Sequence, residues 1–116
     1  MDDDTGTRVS AIAGVVASLD HLDCSLMCRV DINASLGELA RVHSWYHATH
    51  AKLTRRLTEL AEANAAIVPA ADIAACGRGS RKDADQAVRR ASVLGDAPQM
   101  EQALNDGDVS AAHIDA

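Results

Sequence analysis

The chain has 116 residues, 47% hydrophobic but only 2% aromatic, with a formal net charge of −6. That length supports one modest core, and a core of Ala, Leu, Val and Ile without rings suits close-packed helices better than a sheet. The acidic balance excludes a generic nucleic-acid binder, and no stretch has the apolar length of a membrane span.

The N-terminus opens with Asp2, Asp3 and Asp4, the opposite of the basic start of a secretory leader. Residues 1–6 read as a disordered acidic lead. From Arg8 to about Met27, Val9, Ile12, Val16, Leu19 and Leu26 recur at three- and four-residue steps, which predicts an amphipathic helix. The polar run Asp20 to Asp23 would bend or end it. Cys24, Cys28 and Cys76 are odd in number and lack metal-site spacing, so unpaired thiols in a reducing cytoplasm are expected.

Asp31 or Asn33 is the expected cap of the longest helix, roughly 34–64. Its seam reads Leu36, Leu39, His43, Tyr46, His50, Leu53, Leu57 and Leu60. The steps alternate three and four, so this is a heptad seam. It predicts antiparallel pairing with the first helix, giving a long helical hairpin over 7–66, or pairing with another chain.

Residues 67–116 read as a compact module of short helices. Pro69 starts one that ends at Gly77 or Gly79. Ser80 caps the next, with Asp83 three residues on as an aspartate version of the capping box, and Ala84, Ala87, Val88 and Ala91 facing inward. Pro98 starts a helix through Leu104. N-D-G-D forms a turn, and Ser110 caps a last helix. The fold class expected is all-α, a long antiparallel helical pair followed by a helix-turn-helix-like bundle.

Two clusters could carry chemistry. His43, His47 and His50 share a helix face at spacings of four and three, and imidazoles four apart can chelate zinc. They lack an accompanying carboxylate, and two of them occupy the seam, so packing is the favoured role. No metal or other cofactor is expected. The segment Ala71 to Arg90 has the spacing of a helix-turn-helix, with Ala75 four residues before Gly79 to let the helices approach and glycine to make the turn. Arg78, Arg81, Lys82, Arg89 and Arg90 form a basic island in an acidic chain. The first three gather at a helix start and could meet phosphate, although Asp83 and Asp85 on the same helix oppose this. No nucleophile–base pair, phosphate-binding glycine loop or C-x-x-C pair occurs, so no catalysis and no small-molecule substrate are expected.

From Ala71 onward, A-A-D-I-A-A-C-G-R-G-S-R-K-D-A-D-Q-A-V-R-R-A-S-V-L, then Pro98, then A-L-N-D-G-D-V-S-A-A-H-I-D-A, the chain resembles the bacterial thirteen-E-twelve repeat family. The matching positions are Ser80, Arg81, Lys82, Ala84, Val88, Arg89, Arg90, Ala91, Pro98, Ala103, Leu104, Gly107, Val109, Ser110 and His113. That family is known mainly as a domain of unknown function preceding an HNH endonuclease module. The nuclease histidines, asparagines and zinc-binding cysteine pairs do not occur in this sequence. The resemblance therefore implies a truncated or divided member, or an N-terminal module, associated with a nuclease but not itself one. The leading expectation is a non-catalytic, cytoplasmic helical module that assists DNA binding or assembly of an HNH-endonuclease-like protein. The alternative is an oligomerisation module using the Leu36–Leu60 seam, with no nucleic-acid role.

Overall fold

The computed structural model describes residues 13–116. The acidic lead and the expected first turn of the N-terminal helix, with Val9 and Ile12, lie outside the described residues. The described chain is all-α, a long helix followed by shorter ones, with no strand among the described residues.

Helix α1 covers 13–20 and stops at Asp20, where the polar run begins. The Asp23 carboxylate then accepts from the Ser25 amide at 3.2 Å and the Ser25 hydroxyl at 2.6 Å, forming a single 3-10 turn at Cys24–Leu26. Helix α2 runs Arg29–Ala63 without a break. It begins several residues before the expected start, so Asp31 and Asn33 lie inside it rather than capping it. Asp31 falls in the first turn, where a negative charge meets the positive end of the helix dipole.

Four short helices follow, each delimited by sequence chemistry. Helix α3, Pro69–Gly77, has its proline in the first turn, where the missing N–H is no loss. Helix α4, Arg81–Gly95, is capped by Ser80, whose hydroxyl accepts from the Asp83 amide at 3.0 Å. Helix α5, Pro98–Asp106, ends at Gly107 with φ of 84°, a left-handed cap that suits glycine. Helix α6, Ala111–Asp115, follows a box in which Ser110 and His113 bond each other's backbone or side chain.

The α3–α4 turn differs from its sequence expectation in one respect. The left-handed residue is Arg78, at φ 53°, while Gly79 keeps an ordinary backbone. The amides of Arg78 and Gly79 both bond the Ala74 carbonyl, so hydrogen bonding to the end of α3 holds a side-chain-bearing residue where glycine would be at ease. Ala75, expected between the helices, is exposed.

The chain divides into two units between Val42 and His43, inside α2. In the first, no described residue is buried. In the second, His43–Ala116, Ala48 and Ala51 of α2 meet Ala91 and Leu94 of α4, Leu104 of α5 and Ile114 of α6, with Val109 packed against them. Helices α3, α5 and α6 all pack on α4. Small side chains supply the α2 side of this core and most of the α4 side, and Leu94 and Leu104 are its largest fully buried members.

Polar ties complete this core. The Ser44 hydroxyl donates to the Val109 carbonyl at 2.9 Å. The Arg55 guanidinium donates to the Ala91 carbonyl at 3.2 Å and clasps Glu101 through both oxygens, at 2.8 and 2.5 Å. Glu101 is buried, so this fork supplies the counter-charge that a buried carboxylate requires.

Candidate functional site

Helix α2 in the His43–Ala116 unit has two unlike sides. The side turned to the core carries Ser44, Ala48, Ala51 and Thr54. These lie roughly a third of a turn from the heptad seam at 100° per residue. The seam is therefore not what the core uses. Tyr46, Leu53 and Leu60 are 50%, 67% and 42% exposed. In the other unit, the seam residues Leu36 and Leu39 are 58% and 49% exposed. These large apolar side chains at regular spacing are left exposed by the described residues, which makes the seam a candidate interaction surface.

Beside the seam lies a groove between α2 and α3. It holds two adjoining hollows of about 290 and 410 Å³, which share Tyr46, His50, Ile73 and Gly77. The larger is apolar, adding Leu53 and Leu57. The smaller is the more polar of the two, adding His47, Ser80, Asp83 and Arg90.

The three histidines do not act alike. Arg90 of α4 grips Asp115 of α6 through both carboxylate oxygens, at 2.9 and 2.6 Å, and its Nη1 lies 3.1 Å from Nδ1 of His47. A guanidinium can only donate, so His47 Nδ1 accepts. The proton of the neutral ring then sits on Nε2, which faces His43 Nε2 at 3.1 Å. The result is a chain of hydrogen bonds, Asp115–Arg90–His47–His43, joining three helices. A metal held by His43 and His47 would need both Nε2 lone pairs, and this arrangement gives one of them a proton. Burial, then the positive charge of Arg90 and the neighbouring histidines, lower the His47 pKa to about 4, against the opposing pull of Asp115. His50, whose Nδ1 lies 3.3 Å from the Thr54 hydroxyl, is likewise lowered by burial and Arg90. The hydrogen bond from Arg90 holds Asp115 below the usual carboxylate range. Among the described residues, no group of three or more His, Cys, Asp or Glu side chains is disposed to hold a metal ion.

The basic island separates into engaged and open members. Arg90 is committed to Asp115 and His47, with its side chain only 12% exposed. Arg89 donates to Gln86 at 2.7 Å, and Arg81 lies 3.5 Å from Asp85, both within α4. Arg78 and Lys82 are exposed beside the Ser80 cap. The structure thus brings Arg78, Arg81 and Lys82 together around the start of α4, and sets Arg90 apart as a tie between α4 and α6. Sequence reasoning missed the Arg90–Asp115 pair, since 25 residues separate the partners and no local spacing marks them.

Among the described residues, no helix is long and apolar enough to cross a membrane. The cysteines are free and exposed. No family model matches the sequence, and no curated protein or solved structure shows significant similarity to it. The likeness to the thirteen-E-twelve repeat family rests on the residues quoted above.

Proposed function

We propose that the chain is a non-catalytic helical assembly module, of the kind that precedes an HNH-type nuclease, and that its working surface is the apolar seam of α2. The observation that carries this reading is the exposure of Tyr46, Leu53 and Leu60 on a helix whose opposite side already anchors the core. Burying a large apolar side chain is worth about 1.5–3 kcal/mol, so such a row favours association. The nuclease connection rests on the resemblance of the last part of the chain alone.

Sedimentation equilibrium tests the seam. The expected mass exceeds the 12.2 kDa of one chain and returns to it in Leu53→Asp, a substitution the fold tolerates because Leu53 stands in solvent. A one-chain mass at every concentration up to about 0.2 mM overturns the reading.

A second reading, contact with DNA, is favoured by the gathering of Arg78, Arg81 and Lys82 around a capped helix start. Helix starts and basic side chains both attract phosphate. A labelled duplex at low salt is expected to bind weakly, with a shallow salt slope from about two or three phosphate contacts. Lys82→Ala should flatten that slope. No shift at low salt removes the DNA role and leaves the assembly role intact.

A further inference from the structure

We propose that the seam of α2 within the His43–Ala116 unit is covered by the same seam of a second copy of this chain, running antiparallel, so that His43, Tyr46 and His50 of each copy meet Leu60, Leu57 and Leu53 of the other. The inference rests on the reading of that seam as an interface and adds the identity and direction of the partner.

The order of side chains along the seam carries the argument. Its first half holds three ring side chains and its second half holds three leucines. A two-fold interface must be self-complementary, each residue meeting what its partner offers. Antiparallel pairing about a point between His50 and Leu53 sets every ring on a leucine. Parallel in-register pairing would stack His43 on His43 and His50 on His50, placing imidazoles together in an otherwise apolar seam. In the antiparallel register the exposed flanking residue Arg56 falls near Thr49 of the other copy, with no like charges opposed. The hollow of about 410 Å³ lined by Leu53, Leu57 and Ile73 offers room for the partner's side chains beside α3. Burial keeps His50 neutral near pH 7, which suits a ring placed against leucine.

The area agrees with a real but modest dimer. At roughly 80 Å² for each half-exposed large side chain, the six seam positions and the stems of Lys52 and Arg56 cover about 600 Å² per copy, or about 1,200 Å² in total. That is the lower bound for a specific interface, so dissociation is expected in the micromolar range.

Spin-label distances test the direction. In a background with Cys24, Cys28 and Cys76 changed to serine, one nitroxide is placed at Lys52→Cys or, separately, at Glu59→Cys. Both positions are exposed and occupy the same place in the heptad, so their lateral offsets match. In the antiparallel pair position 52 lies beside the two-fold axis. The two copies of position 59 are then about 22 Å apart along the helices, fifteen residues at about 1.5 Å each. The expected result is a dimer mass in both labelled proteins, with the distance at 59 longer than that at 52 by at least about 5 Å. Equal distances in a protein of dimer mass overturn the antiparallel pairing and leave the assembly role standing. A one-chain mass overturns both, and a mass above two chains overturns the two-fold pair alone.

Discussion

Lowering the pH from 7 to 5 should destabilise the His43–Ala116 unit through His47, by an amount the Arg90 contact allows to be worked out. In the folded chain burial and the Arg90 guanidinium lower this imidazole to about 4, against an ordinary value of 6.5. The folded state therefore favours the neutral ring. As pH falls below 6.5 the unfolded chain takes up the proton first, so the stabilisation is complete above 6.5 and is lost as pH falls toward 4. For a fully sheltered group, the step from pH 7 to pH 5 would remove about 2 kcal/mol. His47 is only partly buried, and solvent screening reduces this to about 1 kcal/mol, or roughly 4–8 °C in melting temperature for a unit of this size. Asp115 titrates below this window, because its carboxyl is held under its ordinary 3.8. Thermal melts followed by far-ultraviolet circular dichroism, at several pH values, should show the fall in the parent chain. In His47→Gln, where the amide oxygen can still accept from Arg90, the fall should be smaller by about 1 kcal/mol. Parallel pH curves for the two proteins would refute the Arg90–His47 contact as the cause.

Glu101→Ala should cost about 2 kcal/mol in a urea titration, less than for a fully buried pair because Arg55 is 30% exposed and can turn to water; an unchanged midpoint would mean that the clasp is already solvent-screened. Arg78→Gly should stabilise the chain by about 1 kcal/mol by relieving a side chain at φ 53°. A lower melting temperature would instead show that the Arg78 side chain contributes to the fold. Ala48→Leu should destabilise by about 1–3 kcal/mol, since Ala48 is wholly buried between helices; an unperturbed melt would mean that α2 can retreat from the core without loss.

The ends of the helices were legible in the sequence because they depend on local chemistry. Pro69 and Pro98 open helices, Ser80 and Ser110 cap them, and Gly107 takes the left-handed turn, as the one-dimensional order suggests. The core-facing side of α2 was not legible. Hydrophobic periodicity weighs how apolar a side chain is, and by that measure the leucine seam dominates. The core instead takes the small residues, and Ser44, Ala48, Ala51 and Thr54 are the buried positions of α2. The start of α2 was also misplaced, because Asp31 and Asn33 read as caps although the helix begins at Arg29. Of the basic island, sequence reasoning found the members around the α4 start but could not see that Arg90 is spent on Asp115 and His47, whose places in the chain are far from it. The histidine spacing suggested packing over metal binding, but could not show that Arg90 faces His47 Nδ1.

The small-residue stripe of α2 has a consequence for how such a chain can change over time. Because Ala48 and Ala51 hold the helix to its core while Leu53 and Leu60 stand clear of it, the residues on which folding depends and those of the proposed interface occupy different sides of one helix. If the proposed interface is used, a substitution among the leucines would redirect association without rebuilding the interior, and a substitution among the alanines would abolish the interior without touching the exposed leucines. The interior and the exposed leucine row are therefore open to selection separately, because a change at Leu53 or Leu60 leaves the buried alanines in place.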